Sequence, residues 1–261
     1  MRLLSICSLQ IGFGDRQVVD LEALDLEEGE ILGLAGESGA GKSLTALAVL
    51  GLAGTVGAWV RGSIRLDGRE LVGLPEAALR ALRGGGVAMI FQSPSAAFNP
   101  VFRVGQVFAR ALRLHGVGRA EAAERARTAL RSVLLAPELL GRYPSQLSGG
   151  QLQRVAIALA LALRSRLLLA DEPTSALDVT VQAEILALLR DLRDREGLAV
   201  LFISHDLAVI AELCDRVAVM RDGRLVESGP TGAVLAHPAH GYTRELLRAV
   251  PRIDAAAGGG G

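Results

Sequence analysis

The sequence predicts an α/β fold whose strand-and-helix core is interrupted by an all-helical block. Three observations carry this. Strand and helix signals alternate from the N-terminus to about residue 92. From about residue 104 to 164 the chain turns to Ala, Leu and Arg at helical spacing, with almost no strand signal. Strand signals return at 167–170, 199–204, 217–221 and 225–228, with a helical segment at 179–195 between the first two. Alternation on both sides of a helical block implies an α/β core with a helical insert.

The elements follow in order. Residues 3–11 read as a strand, and 18–26 mix apolar and acidic positions in a second β segment. The run 27–30 (EEGE) is a turn, and 31–35 is a short buried strand. Helical composition begins at Lys42 and runs to about 52. Residues 63–66 are a strand entering a tight turn at Asp67 and Gly68. Residues 75–82 suit a short helix with Pro75 near its first turn. The fully apolar run 87–91 is a strand, and 119–134 an amphipathic helix. The Ala/Gly run 255–261 reads as a disordered tail.

Composition narrows the classes. Of 261 residues 50% are hydrophobic and 21% charged, so the chain can bury a core and is not a disordered protein. Basic and acidic residues balance at 28 each, which supplies no global attraction to nucleic acid or anionic lipid. Arginine accounts for 27 of the 28 basic residues, and Lys42 is the one lysine. Cys7 and Cys214 lie far apart without metal-ligand spacing, which argues against a disulfide framework or structural zinc and fits a reducing compartment. The N-terminus has no small-residue cleavage site after its short apolar run, so no signal peptide is expected. The longest unbroken apolar run, 155–163, falls short of the ~20 residues that span a bilayer.

Gly36, Glu37, Ser38, Gly39, Ala40, Gly41, Lys42 and Ser43 fit G-x-x-x-x-G-K-[ST], directly after a buried strand and before a helix. Glycines let backbone N–H groups converge on phosphate oxygens. The helix start adds roughly half a positive charge. Lys42 suits β- and γ-phosphates as a compact, flexible point charge. The Ser43 hydroxyl is a candidate Mg²⁺ ligand. The plain alternative, a glycine-rich turn before a core helix, does not account for four fixed positions in that context.

Residues 167–172 are an apolar run closed by Asp171 and Glu172. A core strand meeting a solvated loop would look the same. Beside a phosphate loop, Asp171 is placed to hold Mg²⁺ through water. Glu172 is placed to polarise an attacking water, a role that typically supplies ~10²–10⁴ in rate. Leu147, Ser148, Gly149, Gly150 and Gln151 open another helix with small residues, a second anion-binding device in the same chain.

Together these motifs resemble those of the ABC ATPase family. Residues 36–43 look like its Walker A motif, 147–151 its signature and 167–172 its Walker B motif. Gln92, after the strand 87–91, matches the Q-loop, and Asp178, closing 175–178, the D-loop. His205, after the strand 201–204, matches the switch histidine, and Phe13 is placed like the aromatic residue that stacks on adenine. Alone, Gln92 reads as a loop amide, His205 as a structural or surface histidine and Phe13 as core; their order relative to the phosphate loop carries the match.

The resemblance covers roughly residues 3–253. It implies a P-loop NTPase (RecA-like) core with an antiparallel β-subdomain and an inserted α-helical signature subdomain. The expected unit is one domain over 1–254, with core 1–92 and 165–230, helical subdomain about 93–164 and C-terminal helical segment 231–254. It implies ATP and Mg²⁺, the metal near Ser43, Gln92 and Asp171, and catalysis by Glu172 with Gln92 and His205. Phe13, residues 36–43 and Asp178 would serve nucleotide binding, while Ser148, Gly149, Gly150 and Gln151 would serve the nucleotide of a partner. The implied partners are a second ATP-binding subunit in a homodimer or heterodimer, two transmembrane permease subunits and, indirectly, an extracytoplasmic substrate-binding protein. The implied location is peripheral, at the cytoplasmic face of the inner membrane.

Finer details resemble the peptide/nickel importer branch: 92–100 (QSPSAAFNP), 143–146 (YPSQ), 153–158 (QRVAIA), 217–220 (VAVM) and 240–247 (HGYTRELL), with Gly241 where proline is usual. No cysteine cluster follows, so the solute stays open between peptides, nickel and related small molecules. The other reading, a non-transport ABC ATPase acting on DNA or ribosomes, predicts coiled-coil inserts or two ATPase domains. Here Lys42 and the signature each occur once, no long heptad run appears and net charge is zero, so no nucleic-acid partner is expected.

Overall fold

The computed structural model describes residues 1–249. The tail expected at 255–261 and the end of the C-terminal segment, 250–254, lie outside them. Two sheets organise the chain. β1 (Arg2–Phe13), β2 (Arg16–Glu27), β4 (Trp59–Leu66) and β5 (Arg69–Glu70) form an antiparallel sheet in the order β2-β1-β4-β5. β3 (Ile31–Ala35), β6 (Val87–Ile90), β7 (Leu167–Asp171), β8 (Ala199–Ser204), β9 (Arg216–Arg221) and β10 (Arg224–Pro230) form the second sheet, ordered β10-β9-β3-β8-β7-β6. It is parallel except for β10, which returns antiparallel to β9.

β3, β7 and β8 are buried along their whole length, as parallel strands covered on both faces must be. Alternate residues feed two cores. Leu32, Leu34, Leu167, Leu169, Leu201 and Ile203 pack with α1 (Lys42–Val49) and the antiparallel sheet. Leu168, Ala170, Val200 and Phe202 face the helices on the other side. Those are α6 (Gly149–Ala162), α7 (Val179–Glu196) and α8 (Leu207–Leu213), joined by α4 (Val104–Leu114) and α5 (Arg119–Ser132). The short helices α2 (Glu76–Leu82) and α3 (Pro94–Ala97) flank β6, and α9 (Thr231–Ala236) and α10 (Gly241–Ala249) follow β10.

The differences from the expected boundaries have local causes. α1 stops at Val49, three residues early, because Gly51 turns left-handed: its N–H bonds Ala48 O and the Leu52 N–H bonds Leu47 O, a Schellman closure. The same closure ends α5 at Ser132, with Leu134 rather than glycine at the left-handed position, φ 59°. β4 begins at Trp59 rather than 63, since the indole N–H donates to Gly14 O at 2.8 Å and the ring lies against Gly12, where a Cβ would come within 2.4 Å of it. β5 and α8, too short for a periodic signal, were not expected.

Candidate functional site

Four of the predicted segments end at one edge. The loop 36–43 leaves the C-terminal end of β3, Glu172 follows β7, His205 follows β8 and Gln92 lies two residues beyond β6. The strand order β3-β8-β7-β6 sets them side by side, in the crevice where open parallel sheets bind ligands.

The loop wraps tightly for reasons visible in the backbone. Gly36 has φ 150°, and a Cβ there would come within 2.2 Å of Met220 O; one at Gly41, φ 100°, would meet Val19 and Met220. Lys42 is buried and folds back over the loop, its Nζ donating to Gly36 O at 2.7 Å and Glu37 O at 2.8 Å. Burial pushes the Lys42 ammonium below its ordinary range, opposed by the carboxylates of Glu172, Asp171 and Glu37. Among the described residues the third ammonium proton has no such backbone partner, which leaves it available to an anion.

Ser43 Oγ donates to Asp171 Oδ1 at 3.0 Å. Burial pushes the Asp171 carboxyl up, against the lowering effect of that bond. Glu172 sits in the left-handed region, φ 46°, and its two oxygens are each engaged: Oε2 accepts from Gln92 Nε2 at 3.0 Å, and Oε1 lies 2.9 Å from His205 Nδ1. A small cavity of about 170 Å³ lies beside Glu172, Ser175 and His205. A larger one, about 830 Å³, lies elsewhere, between α5, Gly29 and Leu198.

Among the described residues no group of three or more His, Cys, Asp or Glu gathers to cage a metal. Ser43 and Asp171 nonetheless offer two hard oxygens at one point. That set suits Mg²⁺, which keeps most of its waters and takes one or two protein oxygens beside phosphate. Gln92 is turned to Glu172 instead of this pair.

The remaining predicted residues fall outside the cluster. Ser148 and Gln151 bond each other in a capping box at the start of α6: Ser148 Oγ accepts from Gln151 N–H at 3.2 Å, and Gln151 Oε1 from Ser148 N–H at 3.1 Å. Gly149 and Gly150 pack against Leu177 and Val181, where a Cβ at Gly150 would come within 2.4 Å. Asp178 caps α7, accepting from Val181 N–H at 3.0 Å. The start of α6 therefore rests on Leu177 and on the first turn of α7. Phe13 ends β1, 40% exposed, at the β1–β2 hairpin.

One contact was not foreseen. The Tyr242 hydroxyl, on α10, accepts the Glu37 N–H at 2.9 Å across 205 positions of sequence.

A glycine loop between a parallel strand and a helix, with a Ser–Asp pair at its mouth and an acidic residue beside it, defines a P-loop nucleotide-binding protein. The comparisons narrow that class. The family model described as ABC transporter matches residues 20–175, and the one described as oligopeptide/dipeptide transporter, C-terminal region, matches 226–260. The chain belongs to the ABC transporter family. It is 51% identical to the "Probable peptide ABC transporter ATP-binding protein y4tR" of Sinorhizobium fredii, over 87% of this chain and 69% of that one. It is 46% identical to the oligopeptide transport ATP-binding protein OppD of Salmonella typhimurium, over 97% of this chain and 77% of that one. A solved ATP-binding cassette, dimeric and in a post-hydrolysis state with ADP and Pi, is 27% identical with a TM-score of 0.73, over 87% of this chain and 98% of that one.

Proposed function

We propose that the chain is the ATP-hydrolysing subunit of an importer for peptides, working as one of a pair of ATP-binding subunits on two permease subunits. The observation that carries the chemistry is the Glu172 carboxylate, held between Gln92 and His205 beside the Ser43–Asp171 pair. In this reading the N–H groups of the loop beyond Glu37, with Lys42, bind the phosphates of ATP. Ser43 and Asp171 hold Mg²⁺, which when bound offsets phosphate charge. Glu172 accepts a proton from the attacking water as it approaches the γ-phosphorus, and its two neighbours fix its orientation. His205 stands at the γ-phosphate, and Phe13 stacks on the base.

The signature calls for a pair. Ser148, Gly149, Gly150 and Gln151 sit on the helical insert, with their polar contacts local to it. A site split between one subunit's loop and the other's signature makes closure depend on ATP, and hydrolysis reopens it. The dimeric relative and the peptide-transport names of the two curated relatives support this reading, and neither names nickel. Residues 1–254 then act as one domain, with core 1–92 and 165–230 carrying the loop and the helical subdomain about 93–164 carrying the signature. In this reading the membrane is reached through the permeases; no helix among the described residues is long and apolar enough to cross it.

The test is co-purification of the full chain from membranes. Recovery with permease subunits and a second ATP-binding subunit, with ATPase activity in the assembled complex, is expected. Recovery with ribosomes or DNA overturns the reading. A thermal shift of the system's substrate-binding protein by peptides, and not by Ni²⁺, identifies the solute class.

A further inference from the structure

The Gly36–Glu37 peptide of the phosphate loop is gripped at both ends. Its carbonyl, Gly36 O, accepts from Lys42 Nζ at 2.7 Å, and its N–H, on Glu37, donates to the Tyr242 hydroxyl at 2.9 Å. A trans peptide points these two groups in opposite directions, so Lys42 and Tyr242 hold one plane from opposite sides. The Glu37 N–H is thereby directed to a side chain of this chain rather than to phosphate.

Tyr242 is itself firmly set. It is 3% exposed, and the Arg221 guanidinium lies over its ring, 4.8 Å from the centroid. Its N–H donates to His240 Nδ1 at 3.1 Å. The turn leading into α10 is fastened by Glu227, whose carboxylate accepts from the N–H groups of Ala239 at 2.7 Å and His240 at 3.1 Å. Arg244 adds bonds to Pro238 O and Ala239 O. The β9–β10 turn supports the same loop from the side, through the Gly223 N–H to Ala40 O at 3.1 Å.

We infer that Tyr242 is a positioning residue for nucleotide binding: its hydroxyl holds the first turn of the phosphate loop in the binding-competent conformation, so the C-terminal segment sets the loop's affinity for ATP. This rests on the nucleotide reading of residues 36–43. Lys42 alone cannot set the plane, because a long flexible side chain gripping one end leaves rotation about the other. Without the hydroxyl, part of the population holds a turned Gly36–Glu37 peptide, and apparent affinity falls by the fraction that remains competent.

The experiment uses the full chain and Tyr242→Phe, which keeps the ring under Arg221 and removes the hydroxyl alone. ATP and ADP affinities are measured by titration calorimetry, and amide exchange is followed for the Glu37 N–H. Expected are a loss of affinity of about fivefold, the equivalent of one ordinary net hydrogen bond, and Glu37 exchange faster by a similar factor. The nucleotide-free melting temperature should fall by only about 2–4 °C, the cost of that one hydrogen bond. Affinity within twofold of wild type, or unchanged Glu37 exchange, overturns the proposal. Lys42→Ala runs alongside. If it abolishes ATP binding, the loop reading stands whatever Tyr242→Phe does. If it binds ATP normally, that reading fails, and the Glu37 exchange still decides whether Tyr242 holds the loop.

Discussion

Replacing Glu172 by Gln removes a proton acceptor while leaving its shape. The carboxylate now meets Gln92 Nε2 at 3.0 Å on one oxygen and His205 Nδ1 at 2.9 Å on the other. A glutamine there has one acceptor and one donor end, so one neighbour must reverse. Gln92 can turn its amide over, or His205 can present the unprotonated ring nitrogen, and neither moves a heavy atom far. The left-handed backbone at position 172 is as acceptable to Gln as to Glu. The bound state therefore survives, and the loss falls on the transition state. General-base removal is worth ~10²–10⁴ in kcat, about 2.7–5.4 kcal/mol. Phosphate release by the assembled complex should drop by that factor, ATP affinity should stay within threefold, and closed dimers should accumulate on gel filtration with ATP. Turnover within tenfold of wild type would refute Glu172 as the base, whatever its contacts.

Three further predictions concern stability. Asp171→Asn should raise the melting temperature of the nucleotide-free chain at pH 7, because burial holds the wild-type carboxyl above its ordinary range and its charged form is a cost to folding. The gain is greatest above that raised range. It should shrink as pH falls through it and vanish below the ordinary carboxylate range, where the folded and unfolded wild type are both protonated; a difference that persists there refutes the cause. The side chain of Gln153 is fully buried on α6, and neither amide atom has a hydrogen-bond partner among the described residues, so Gln153→Met should stabilise by about 1 kcal/mol in urea unfolding. Leu134→Gly should stabilise by about 0.5–1 kcal/mol: the left-handed cost is relieved, the residue is 78% exposed, and the gain is reduced by glycine's freedom in the unfolded chain. A lower urea midpoint in either variant counts against its explanation.

The readable parts of this molecule are those where physics leaves few residue choices. The 36–43 loop needs glycine at Gly36 and Gly41, because Met220 and Val19 leave no room for a Cβ. The paired acids stand out because they end a wholly apolar strand. Gln92 and His205 are legible by their order along the chain, but their meeting on Glu172 is not, since three strand ends 80 and 33 positions apart converge only through sheet order. In the sequence Tyr242 stands only as part of a family segment, 240–247. Its bond to Glu37 spans nearly the whole chain, and a tyrosine on a short helix carries no local signal of such a target. The early end of α5 escaped because leucine rarely takes the left-handed position that Leu134 occupies.

The lone lysine has a practical consequence. A protease that cuts only after lysine has one bond to attack in this chain, Lys42–Ser43. The side chain that marks that bond is buried, 5% exposed, and tied to two carbonyls of its own loop. Cleavage must wait until the loop opens, so its rate is a gauge of opening at that one place. Read with and without nucleotide on the unlabelled protein, it yields two fragments of fixed size and no background cuts elsewhere.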